Sequence, residues 1–147
     1  MAENGEIRFY RSSGEYGFLS NLFKAPVEFE GRKFRSSEEA YQFGKPKDLA
    51  VAEWLISAPR QHICAEAAHS LLAFDIREDW NSIKVDRMRS VLEAKFAQNP
   101  ELKELLLKTG DAALIEDSKT DAFWGMGKKG NGKNMLGTLL MELRAKL

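Results

Sequence analysis

The sequence predicts an α+β fold: one helix-rich domain with about six helices and a few short strands. Three observations carry this prediction. Apolar residues recur with helical spacing over several segments, strand-like stretches are short and few, and the two kinds come in runs with no strict alternation. At 147 residues the chain has the size of one ordinary domain, able to bury about two thirds of its unfolded surface around one core. Residues 1–147 are therefore expected to form a single domain.

The elements follow in order. "EIRFY" (6–10) has strand composition, and "VEFEGRKFR" (27–35) sets Val27 and Phe29 before Glu30-Gly31 and Phe34 after it, predicting a hairpin. Between them "RSSGEYGFLSNLFKAP" reads as a loop carrying aromatic residues. At Ser36 the period changes. Ser36 with Glu39 three residues on forms a capping-box pattern, so a short helix is expected to run to about Lys45, where Pro46 disfavours continuation. Asp48 caps a second helix, "LAVAEWLIS", and a third, "QHICAEAAHSLLA", is apolar at Ile63, Ala67 and Leu71. Ser82 opens a long amphipathic helix with Ile83, Met88, Val91, Leu92 and Phe96 inward, and Asn99-Pro100 caps the next, which stops at Gly110. "AALIEDS" is expected as a short strand, and Met135, Leu136, Leu139, Leu140, Leu143 and Leu147 mark a C-terminal helix whose leucine stripe is core.

Composition excludes several function classes. The 22 basic and 22 acidic side chains cancel, so no global field draws the chain to nucleic acid or to a membrane. A single cysteine, Cys64, makes no internal disulfide, and two histidines give no Cys/His cluster at metal-ligand spacing. Neither a metal nor a cofactor is expected. The N-terminus lacks an apolar signal region, and no run approaches ~18 apolar residues. A cytoplasmic protein without membrane contact is the expectation.

"WGMGKKGNGKNMLG" (124–137) fits two phosphate-binding patterns. Gly125, Gly127 and Gly130 satisfy GxGxxG, and Gly127, Gly132 and Lys133 satisfy the start of a P-loop. Both fail on context. A dinucleotide fingerprint needs a buried strand before the glycines and an acidic residue about 20 positions later, and the chain nearly ends there. The P-loop reading lacks its Ser/Thr, replaced by Asn134, and its leading apolar strand. The loop's backbone N–H groups and the helix starting near Asn134 are still expected to converge on an anion, with Trp124 as a core plug or a stacking platform.

Glu38, Gln42 and Lys45 fall at i, i+4 and i+7, presenting a carboxylate, an amide and an amine on one helical face. A solvated polar face would read the same way, except that Tyr41 and Phe43 crowd so short a helix with aromatic rings.

"GFLSNLFKAP", "SSEEAYQFGK", "REDWNSIKVDRMRSVLEAKFAQNPELKELLLKTGD" and "LIEDSKTDAFWGMGKKGNGKNMLGTLLMELRAKL" occur in the order and spacing of the NADAR (NAD- and ADP-ribose-associated) family, also called YbiA-like. The chain resembles that family from about Gly17 onward. The resemblance implies a YbiA-like fold and an N-glycosidase that cleaves a base-like leaving group from a phosphorylated ribose. Its substrate would be a riboflavin-pathway ribosylamino-pyrimidine or ADP-ribose attached to guanine in nucleic acid. It implies Glu38 and Lys45 as catalytic residues, and Ser20, Asn21, Gln42, Trp80, Asp121, Trp124, Gly125, Gly127 and Asn134 as substrate contacts, with Gly137 matching as well. Family members usually carry His after the glutamate. Here Glu39 stands there, with a place in the capping box as its structural explanation.

A carboxylate near C1′ stabilises the positive charge that develops as a ribosyl C–N bond breaks, which suits Glu38. Lys45 has two open roles: an ammonium that binds phosphate, or a neutral amine that attacks C1′ and leads to a Schiff base. Trp80 or Trp124 would stack on the base, and Asp121 and Asn134 would bond ribose or base edges. Arg8, Arg77, Lys128, Lys129 and Lys133 are candidates for the phosphates, while Asp75, Glu78 and Asp79 read as solvated and His62, His69 and Cys64 as structural. The alternative is a non-catalytic module that binds ADP-ribose or a related nucleotide. Glu38 and Lys45 argue against it, since such a module needs neither.

Overall fold

A computed structural model describes residues 5–147. They form β1 Glu6–Phe9, β2 Lys24–Phe29, β3 Arg32–Ser36, α1 Ser37–Gln42, α2 Leu49–Ile56, α3 Gln61–His69, α4 Trp80–Gln98, α5 Pro100–Lys108, β4 Ala113–Glu116 and α6 Met135–Lys146, with 3-10 turns at Gly17–Leu19 and Ala73–Asp75. This is the α+β, helix-rich class that the hydrophobic spacing predicts. The chain divides into two compact units, Lys24–Asn99 and the segments flanking it.

In the unit Lys24–Asn99, β2 and β3 pair antiparallel with Val27 opposite Phe34 and Phe29 opposite Arg32. Glu30 and Gly31, at φ 52° and 79°, make the two-residue turn whose left-handed backbone matches the strands' twist. Phe34, Ala40 and Val91 form one core cluster, joined by Phe29, Phe43 and Ile56. Leu55, Ala58, Cys64 and Ala68 form a second. Three expectations need correction here. Helix α1 ends at Gln42, short of Lys45. Helix α3 turns Gln61, Cys64 and Ala68 inward and leaves Ile63 exposed, because Gln61 has a buried polar partner at the helix start. Helix α4 begins at Trp80, with Ser82 in its first turn donating to the Asp79 carbonyl.

Lys95, inside α4, is fully buried, and burial pushes its ammonium down to about 7 from 10.5. In the unfolded chain the group regains its ordinary value, so between those limits the unfolded state binds more protons and stability rises with pH. The rise reaches at most about 1.4 kcal/mol per pH unit; at lower pH both states are protonated and the dependence vanishes. Lys95→Met is expected to flatten this part of the curve. Urea titrations of both proteins from about pH 7 to 9.5 check it, and parallel curves would contradict it.

In the other unit β1 and β4 pair parallel, Glu6 opposite Ala113 through Phe9 opposite Glu116, and α6 packs against β4. Leu114, Leu136, Leu139 and Leu140 are buried there, whereas Leu147, expected in the same stripe, is exposed. Helix α5 stops before Gly110, which takes φ 63°. Among the described residues no helix is long and apolar enough to cross a membrane.

Candidate functional site

The helix that carries Glu38 begins with a buried polar network. Ser36 accepts from the Glu39 N–H at 3.2 Å, which is half of the expected capping box. The other half is corrected. The Glu39 carboxylate does not return to Ser36; it accepts from the Arg35 N–H at 2.9 Å, from Arg35 Nε at 2.7 Å and from Gln61 Nε2 at 2.9 Å. Ser36 Oγ in turn donates to Gln61 Oε1. Glu39, 2% exposed, thus ties β3, α1 and α3 together. Glu39→Ala leaves those donors without their acceptor and is expected to lower stability by about 3 kcal/mol. A urea midpoint equal to that of the wild type would contradict this.

Glu38 and Gln42, 9% and 4% exposed, follow on α1. Gln42 Nε2 donates to Glu38 Oε2 at 3.1 Å. A carboxylate only accepts, so the amide nitrogen must face it, which leaves Gln42 Oε1 buried without a hydrogen-bond partner. An acceptor buried without a donor carries a desolvation cost.

Lys45 lies beyond the helix in a tightened turn, its N–H bonded to the Gln42 carbonyl at 3.1 Å. Its carbonyl accepts from the Arg77 N–H at 3.1 Å, Lys47 N–H bonds Asp75 O at 3.1 Å, and Pro46 bridges Ile76. The side chain reaches the Ala68 carbonyl at 2.8 Å. Burial lowers the Lys45 pKa; Glu38's charge opposes that shift and Lys84's adds to it. Carboxylates also act on Cys64, where burial first and then Glu38 and Glu39 push the thiol up to about 12. Cys64 therefore stays protonated and inert.

Lys45 opens on a cleft of 710 Å³ lined by Lys47, Phe74, Arg77, Glu78, Trp80 and Lys84, among others. Trp80 is 6% exposed and packs on Tyr41 with ring centroids 5.0 Å apart. Arg77 is held by Asp79 through bonds of 2.6 and 3.0 Å, and Asp79 is exposed, as expected of a solvated residue. Sequence reasoning missed Lys47 and Lys84. Lys84 stands one helical turn after Trp80, a spacing that would have placed both on one face of α4. Lys47 carried no such signal.

The remaining predicted residues belong to the other unit. Ser20 and Asn21 are buried, and Ser20 Oγ accepts from the Leu22 N–H at 3.1 Å. Asp121 Oδ1 accepts from the Phe123 and Trp124 N–H groups at 2.9 and 2.8 Å, and Trp124 meets Phe123 edge to face. Asn134, left-handed at φ 49°, accepts from the Glu116 N–H at 2.8 Å and donates to the Leu114 carbonyl at 2.9 Å, pairing the edge of β4 as a neighbouring strand would. Both halves of its amide have protein partners. A Cβ at Gly125 would collide with Glu116, and Gly127 takes φ 71° against Ala122.

The anion cradle expected of this loop is corrected by its hydrogen bonds. The N–H groups of Met126, Gly127, Gly132, Lys133, Asn134, Met135 and Leu136 all donate to backbone carbonyls within the unit. They are not turned toward a ligand. Of the predicted phosphate cations here, Arg8 pairs with Asp117 at 3.3 Å and Lys133 lies over the Phe123 ring. Lys128 and Lys129 are exposed. Among the described residues no three His, Cys, Asp or Glu side chains group to hold a metal.

Comparison with known proteins adds a relationship to this geometry. Residues 8–147 match the NADAR domain model. The chain is 39% identical over 141 residues to the N-glycosidase YbiA of Escherichia coli (strain K12), covering 96% of this chain and 88% of that protein. It is 37% identical over 141 residues to a riboflavin biosynthesis protein of Vibrio vulnificus, 96% of this chain but only 38% of the relative. The NMR structure of E. coli YbiA superposes with a TM-score of 0.87 at 37% identity, covering 99% of this chain and 86% of that one.

Proposed function

The chain belongs to the NADAR domain family and is an N-glycosidase; we propose that the bond it hydrolyses joins a phosphorylated ribose to a base. The observation that carries this reading is a cation-lined cleft with Lys45 at its wall, a lysine whose pKa burial lowers and on which the charge of the buried Glu38, bonded to Gln42, acts. Lys47 and Lys84 supply positive charge for phosphate, and Trp80 supplies an apolar face for the base.

Neutral Lys45 attacks C1′, and the electron pair of the C–N bond leaves with the base, which takes up a proton. Glu38 stabilises the positive charge on the sugar as the bond stretches. The ribosyl-lysine opens to a Schiff base, and water hydrolyses that to the free sugar aldehyde and the starting amine. Burial shifts Lys45 in the direction that attack by its amine requires.

The riboflavin-named relative makes a phosphorylated ribosylamino-pyrimidine the first substrate to offer, with ADP-ribosylated guanine as the second. Base release from either, followed chromatographically, supports the reading. Ligand binding without base release from both would favour the non-catalytic alternative.

A further inference from the structure

We propose that Arg87 is a positioning residue for Lys45, acting by terminating the helix that carries Glu38 and Gln42. A helix continuing past Gln42 would pair the Ala40 carbonyl with the Gly44 N–H and carry Lys45 onto the Glu38 face. Instead the Gly44 N–H bonds the Tyr41 carbonyl at 3.2 Å. The Ala40 carbonyl accepts from Arg87 Nη2 at 2.6 Å and Nε at 3.2 Å, and the Tyr41 carbonyl accepts from Nε at 3.1 Å. A guanidinium from α4 has taken the place of the helix's next turn.

Its side chain is only 10% exposed, lies over the Phe29 ring, and pairs with Glu30 Oε1 at 2.8 Å. Charge also fits, since a cation at the C-terminal carbonyls of a helix is favourable. Gly44 gives the guanidinium its passage: a Cβ there would run into Arg87. With the helix stopped, the chain turns at Gly44 and delivers Lys45 to the Ala68 carbonyl and the cleft wall. Lysine at 87 has the charge but not the fork that spans two carbonyls.

The kinetic arm rests on the glycosidase reading; a second arm does not. Arg87→Met and Gly44→Ala are each expected to lower kcat by about 20-fold or more with KM within about threefold, since Lys45 is misplaced while the cleft persists. Arg87→Lys should recover part of the loss. Glu30→Gln, which removes only the exposed pair, should stay within about twofold. In parallel, the Lys45 Nζ pKa is measured by NMR in wild type, Arg87→Met and Gly44→Ala, and it should rise toward the ordinary lysine value in both variants. If wild type releases no base, the glycosidase reading fails and the NMR arm alone decides the positioning role. An unchanged Lys45 pKa, unchanged kcat in a folded Arg87 variant, or an equal loss in Glu30→Gln overturns the proposal. Should Arg87→Met not fold, Gly44→Ala and Arg87→Lys test the same contacts, and wild-type kcat and Lys45 pKa in both would overturn it equally.

Discussion

The Lys45→Arg variant is expected to fold, to hold a phosphorylated ribosyl ligand within a few-fold of wild-type affinity, and to lose turnover by about 10³-fold or more. Arginine keeps the positive charge but offers no neutral amine near neutral pH. The substitution therefore separates the two roles: a phosphate-binding lysine tolerates it, and an attacking amine does not. Retained turnover would return Lys45 to phosphate binding. The pH dependence has a definite sign as well. Because burial lowers the Lys45 pKa below 10.5, the reactive amine becomes populated at lower pH than in an ordinary lysine. Turnover by the wild type should climb with pH through that lowered value and level off above it.

The second large effect belongs to Glu38→Gln, which keeps the size and the acceptor facing Gln42 Nε2 but removes the charge. Turnover is expected to fall by about 10²- to 10⁴-fold with little change in binding, since the carboxylate acts on charge that exists only as the bond breaks. Glu38 also holds the Lys45 pKa up. Its removal should therefore move the residual activity's rising limb to lower pH. Steady-state kinetics across pH read both effects, and turnover equal to wild type removes Glu38 from the chemistry.

What was legible in the sequence was local. The Glu30-Gly31 turn, the Asp48 cap and the spacing of Met88, Val91, Leu92 and Phe96 each depend on near neighbours, and the structure has the corresponding elements. The early end of α1 was not legible, because the group that claims the Ala40 carbonyl lies 47 residues away on another helix. Glu39 shows the same limit: its spacing from Ser36 signals a capping box, while its main partners, Arg35 and Gln61, come from β3 and α3. The glycine loop misled for a third reason. Glycines permit an anion cradle, but which way their N–H groups point is decided by carbonyls brought close by the fold. The Glu38, Gln42 and Lys45 spacing was visible, whereas the orphaned Gln42 oxygen and the cations Lys47 and Lys84 emerged only with tertiary structure.

In the proposed reaction a neutral Lys45 forms the covalent link to C1′ during base release. Borohydride added while the enzyme turns over a phosphorylated ribosylamino-pyrimidine, followed by peptide mass spectrometry, tests it most directly. A reduced sugar adduct should appear on Lys45 only with substrate and be absent from Lys45→Arg. Base release at full rate with no adduct, or an adduct on a different lysine, would contradict it.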